Sequence, residues 1–206
     1  MKMKEESVNV SEATILDAAR AVFTEKGMAG ARMQEIADRA GINKAMLHYY
    51  FRSKEKLFDR VFQEAFLQFW PKIEMQLSAD LNPRLLIKGI IGSYVELFLE
   101  KPYLPNFIIS ELTRDPERIE KLLQESGVAP MQLVKYVQHQ MEQGVMVPMD
   151  PRELFINVIA LCIFPFAGRP LISRIIWQND QEGYTEFLKG RKASVFQFIE
   201  PIIFKD

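Results

Sequence analysis

The chain has 206 residues, 48% hydrophobic and 26% charged, enough for one large domain or a small one beside a medium one. A net charge of −1 excludes a protein that coats nucleic acid through bulk positive charge. The first 60 residues, with 11 Lys and Arg against 9 Asp and Glu, are too evenly balanced to alter that.

Helical periodicity runs through the whole sequence, and no alternating strand pattern occurs. Ile15, Ala18, Ala19, Val22 and Phe23 fall on one helical face, with Ser11 as N-cap and Gly27 at the left-handed stop. That predicts a first helix over 12–26. A short second helix is expected from Met33 to Ala40, closed by Gly41. Asn43 then caps a third over Lys44–Phe51. Ser53 caps a fourth, whose apolar stripe runs from Leu57 to Trp70 before Pro71 kinks or ends it.

Further helices are predicted from Pro83 to Glu100, through Pro105 to Arg114, from Pro116 to Gln124 and from Met131 to Gln143. Pro151 opens an apolar segment through Phe164. Pro165, Gly168 and Pro170 are expected to break it before Leu171–Trp177, and Gly183–Phe204 closes the chain. The apolar run Leu154–Phe166 is short for a membrane span. The first residues, Met1 to Ser7, carry no apolar core of a secretory signal. A soluble cytoplasmic protein is expected. The lone cysteine, Cys162, permits no intrachain disulfide, and two histidines offer no metal cluster or cofactor site. Cys162 itself reads as a small buried apolar residue.

The stretch Gly30–Lys56 carries the chemistry. Two short helices joined by Ala40-Gly41-Ile42-Asn43 have the length of a helix-turn-helix, with Gly41 supplying the positive φ of the turn. Ile36, Ala37 and Ala40 form the inner face of the first. In the second, Met46, Leu47, Tyr50 and Phe51 should pack inward, leaving Lys44, Ala45, His48 and Tyr49 outward. Lysine can reach guanine or phosphate, alanine a thymine methyl, and tyrosine a phosphate. Lys54, in the first turn of the next helix, suits a phosphate anchor. A three-helix core with no partner is the plain alternative, but such a core does not need this outward set.

These residues resemble the DNA-binding signature of the TetR family of bacterial repressors. The matching elements are Phe23 to Gly27, Ile36-Ala37, Ala40-Gly41-Ile42, Leu47-His48-Tyr49-Tyr50-Phe51 and Lys54-Glu55-Lys56-Leu57. The resemblance covers about residues 11–62. Arg32 stands where the family usually has a capping threonine, so the cap must come from elsewhere. His48 replaces the usual first tyrosine of the recognition helix. Both keep groups able to touch DNA, so the departures bear on which operator is read.

The resemblance implies an all-α protein with a helix-turn-helix head over 1–52 and a larger effector-binding and dimerisation body over 53–206. The DNA-contacting set is then Arg32, Asn43, Lys44, Ala45, His48, Tyr49, Tyr50 and Lys54. Phe62, Phe66, Phe69, Trp70, Tyr94, Phe98, Phe107, Glu111 and Trp177 are the expected effector wall, with ordinary core as the alternative for each. Glu111 lies in a largely apolar run and needs a partner, either a cationic ligand or Arg114 or Arg118. Leu154–Phe164 and Tyr184–Phe204 are apolar over more than one face. A homodimer interface is favoured over buried core, since one recognition helix holds too little information and paired half-sites are the rule. The expected function is a repressor released from a palindromic operator by a small-molecule effector. An effector-independent regulator or activator shares the same head. An enzyme with an appended head lacks any supporting motif.

Overall fold

The structure, a computed structural model, describes residues 2–67, 70–78 and 81–205, and the side chains of 12–64, 70–78 and 81–205. The described residues form twelve helices: α1 (Lys2–Gly30), α2 (Met33–Arg39), α3 (Lys44–Tyr50), α4 (Lys54–Leu67), α5 (Trp70–Ser78), α6 (Pro83–Glu100), α7 (Leu104–Arg114), α8 (Pro116–Glu125), α9 (Pro130–Glu142), α10 (Pro151–Ala167), α11 (Arg169–Ile175) and α12 (Gln181–Ile203). An isolated bridge between Met146 and Phe204 is the only β-type pairing among them.

Prolines open several helices because a first-turn residue needs no N–H. Pro83, Pro116 and Pro151 each follow a side-chain cap, in which Asn82, Asp115 and Asp150 accept from the N–H of Arg84, Arg118 and Arg152 at 2.9, 3.1 and 2.9 Å. Two expectations are corrected. Helix α1 runs straight through Ser11, so that residue is no N-cap, whereas the break expected at Gly27 is present (φ 65, ψ 174). Pro165 does not end its helix: α10 continues to Ala167 and stops at Gly168.

Helix α12 explains why Pro165 is tolerated. Proline lacks the N–H that the carbonyl of Leu161 would normally receive one turn earlier. Arg191 Nη2 donates to that carbonyl instead, at 2.9 Å, and the Tyr184 hydroxyl donates to the carbonyl of Pro165. Two side chains of α12 thus complete the hydrogen bonding of α10.

The chain packs as two compact units. The first joins residues up to Leu67 with Asn106–Gly127, so α8 and most of α7 pack with the helix-turn-helix head and α4. Its core holds Ile15, Val22, Phe23, Ile36, Leu47, Phe58, Phe62 and Phe107, all nearly inaccessible to solvent. Phe58 meets Phe23 edge-on at 5.2 Å and Phe107 at 5.4 Å. Each such side chain contributes roughly 1.5–3 kcal/mol by leaving water. In the second unit α6 packs against α5, α10 and α12, burying Ile91, Val95, Phe98, Cys162, Tyr184 and Leu188. No single helix among the described residues is long and apolar enough to cross a membrane.

Candidate nucleic-acid interface and effector site

Helix α3 is set by its two ends. Gly41 takes the left-handed conformation (φ 68) that turns the chain out of α2, and the Ile42 N–H closes the turn on the Ala37 carbonyl at 3.0 Å. Asn43 then caps α3, its Oδ1 accepting from Met46 N–H at 2.7 Å. Leu47 and Phe51 are buried and Met46 and Tyr50 half-buried, while Lys44, Ala45, His48 and Tyr49 face solvent. The inward and outward sets are those the sequence predicts. Tyr49 is 82% exposed and braced edge-to-face on Tyr50 at 5.5 Å.

The flanking residues are more constrained than their sequence positions suggest. Arg32 is exposed and occupies the N-cap of α2 without a side-chain cap bond. His48 turns Nδ1 toward the Arg52 carbonyl at 3.4 Å. Lys54 Nζ donates to the carbonyls of Ala29 and Ala31 at 3.3 and 3.1 Å, leaving one of its three protons for an external acceptor. Ser53 caps α4 as expected, its hydroxyl accepting from Lys56 N–H at 3.2 Å. Ion pairs from Arg39 to Glu25 and from Lys26 to Glu35 tie α2 to α1.

Among the described residues, those expected to line an effector wall fall into several separate clusters. Phe62 and Phe107 stack on Phe58 within the first unit. Trp70 is buried in the second, its indole donating to Glu74 at 2.9 Å. Trp177 packs on Tyr184 and Phe187, and Phe98 on Tyr94 and Phe166. Glu111 is 2% exposed and pairs with Arg114 at 3.1 Å, one of its two expected partners. The side chains of Phe66 and Phe69 lie outside the described residues.

Tyr94 lines a cavity of about 40 Å³ within the second unit, formed by α6, α9 and α10. Leu86, Ile90, Leu133, Tyr136 and Val158 contribute to its wall, and no charged side chain does. Burial pushes the Tyr94 hydroxyl well above its ordinary pKa, so it stays a neutral donor. Tyr136 directs its hydroxyl to the Leu81 carbonyl at 3.3 Å. Helical spacing marks each stripe of this wall in the sequence, but does not reveal which stripes face one another.

The broad apolar arcs of α10 and α12 divide into two faces. Leu154, Val158, Val195, Ile199 and Ile203 are buried, whereas Ile156, Phe164, Phe198 and Ile202 are each more than half exposed. Phe164, Phe198 and Ile202 line one groove between the two helices, with Leu161 at its floor.

Comparison with known proteins bears on this arrangement. Residues 15–61 match the profile described as bacterial regulatory proteins, tetR family. The HTH-type transcriptional regulator RutR of Escherichia coli K12 is 27% identical over 155 residues, covering 75% of this chain and 73% of that protein. The HTH-type transcriptional repressor NicS of Pseudomonas putida KT2440 is 32% identical over 98 residues, 47% of this chain and 46% of the other. Among solved structures, AibR in complex with isovaleryl coenzyme A and operator DNA superposes with a TM-score of 0.63 at 18% identity, covering 76% of this chain and 85% of that one.

Proposed function

We propose that the chain, whose residues 15–61 match the tetR family of bacterial regulatory proteins, is a DNA-binding transcriptional regulator, a cytoplasmic repressor released from its operator by a small apolar effector. The observation that carries the reading is the outward face of α3, where Lys44, Ala45, His48 and Tyr49 stand clear of a packed Leu47 and Phe51. Lys44 and Tyr49 supply base-edge and phosphate contacts in the major groove, with Ala45 against a thymine methyl. Arg32, Asn43, Tyr50 and the remaining proton of Lys54 address the flanking backbone. Repression, the activity NicS is named for, is the sign adopted here.

Two copies are needed because one short helix reads too few base pairs. The second copy covers the exposed face of Phe164, Phe198 and Ile202, since a monomer rarely leaves so contiguous an apolar face in water. The effector site is the cavity at Tyr94. At about 40 Å³ it has little room, so an effector is best taken up by a conformer in which α6, α9 and α10 have parted. A ligand that prefers that conformer shifts the population toward it, and differential affinity is all the switch requires. No catalytic step is part of this reading.

The test is selection of a palindrome from a random duplex pool by the full chain, followed by anisotropy titration at two salt concentrations. Saturable binding that weakens with salt and fails in a Lys44→Ala, Tyr49→Ala double variant supports the reading. A pool that returns no palindrome defeats it.

A further inference from the structure

The loop from Gly27 to Arg32, which includes the short helical turn that ends α1 beyond its kink at Gly27, leads into α2 and so fixes where the helix-turn-helix begins. Its own sequence holds it weakly, because Arg32 offers α2 no side-chain cap. Charged side chains from two other helices hold it instead. From α4, Lys54 bridges the carbonyls of Ala29 and Ala31. From α7, 83 residues distant in sequence, Glu111 Oε1 accepts from the Met28 N–H at 3.4 Å.

Arg114, which pairs with Glu111, lies over Gly27 so closely that a Cβ there would come within 2.3 Å of Nη1. With φ at 65°, Gly27 is required by its backbone, and its missing side chain lets the Arg114 guanidinium lie close. Glu111 is almost completely buried in an apolar stretch, and both of its partners belong to this one contact. A buried carboxylate is costly unless its partners are in place, so the contact favours one position of α7 over others.

We propose that Glu111 is a positioning residue, through which α7 grips the Gly27–Arg32 loop and holds α2 and α3 in the attitude that receives DNA. The proposal rests on the DNA-binding reading above and adds the route by which the head is held. Where Glu111 grips, the loop is ordered before DNA arrives. Where α7 is displaced, the Met28 N–H and the Glu111 carboxylate lose each other, and the loop must be ordered again on binding. Affinity falls by that ordering cost. The two arms are distinct in kind. Lys54 acts within the head and its adjoining helix, whereas Glu111 brings in a segment that is remote in sequence.

The experiment is amide hydrogen exchange by mass spectrometry on the full chain, comparing wild type with Glu111→Ala and the isosteric Glu111→Gln. Each protein is also titrated with the duplex recovered by selection. Exchange over 28–33 is expected to rise on the order of tenfold in the alanine variant, with DNA affinity falling by a similar factor. The glutamine variant keeps an acceptor for Met28 but not the charge for Arg114, so its changes are smaller and in the same direction. Peptides from α6 and α12 are expected to keep wild-type protection in both. Unchanged exchange over 28–33 in both variants overturns the grip, as does a rise spread equally over every helix. Faster exchange with undiminished DNA affinity overturns the positioning role. A wild-type chain that selects no DNA defeats the functional reading instead, and the exchange pattern separates the two failures.

Discussion

Replacing Arg191 by methionine tests the account of Pro165 in α10. The substitution keeps an apolar stem but removes the guanidinium that donates to the Leu161 carbonyl at 2.9 Å. That carbonyl has no ladder donor, because residue 165 is a proline inside the helix. Losing a charge-assisted bond to a part-buried acceptor costs about 1–2 kcal/mol, the lower part of the range for such groups. A further ~0.5 kcal/mol goes with the guanidinium's contact on Phe187, 5.4 Å from the ring centroid.

In a Pro165→Ala background the new N–H can bond Leu161 directly, so only the contact on Phe187 remains to be lost. The two substitutions should therefore couple by roughly 1 kcal/mol. Urea melts of all four proteins at one fixed protein concentration measure this, the fixed concentration being needed because a dimer's stability depends on it. Equal costs of Arg191→Met in both backgrounds, within about 0.3 kcal/mol, would falsify the claim that Arg191 substitutes for the missing N–H.

Four other outcomes follow from the same structure. Tyr49→Ala should weaken operator binding by about 1–3 kcal/mol and leave the melting temperature unchanged, because 82% of that residue is exposed; Lys44→Ala should weaken binding across sequences and, if it meets phosphate, lower the salt slope by about one. Phe198→Lys places a charge at the centre of the exposed groove, and sedimentation velocity should show a monomer of unchanged helicity by circular dichroism; a dimer of wild-type stability would mean that another face mediates association. Cys162 is fully buried and its thiol is pushed up to about 12 by that burial, so a thiol-reactive dye at pH 8 should label the protein only once urea unfolds it; rapid labelling of the folded chain would contradict the packing of α10.

Local features were legible in the sequence wherever one helix contains its own cause. The bounds of α6 and α7 follow from Pro83 and from Pro105 with Arg114, and the inward and outward faces of α3 follow from residue spacing alone. The break at Gly27 needed only the glycine. What stayed hidden depends on partners far along the chain. Pro165 reads as a helix breaker until Arg191 and Tyr184 are seen completing α10. Lys54 reads as a phosphate anchor, and nothing local reveals that it also holds the carbonyls of Ala29 and Ala31. Glu111 advertised a buried carboxylate and a nearby arginine, yet nothing local points to the Met28 N–H. The aromatic stripe of α4 suggested a ligand wall, and nothing local reveals that Phe62 packs on Phe58 and Phe107. The cavity belongs to aliphatic stripes of α6, α9 and α10 whose apposition only the fold decides.

The central claim is that the outward face of α3 reads DNA. The most direct measurement is anisotropy titration of the full chain with a selected palindromic duplex, beside the same duplex with one half-site scrambled. The account predicts saturable binding of one dimer per palindrome and a loss of at least tenfold on scrambling. It also predicts no preference between the two duplexes in the Lys44→Ala, Tyr49→Ala variant. Wild-type binding that ignores the scrambled half-site, or a double variant that still discriminates, would contradict it.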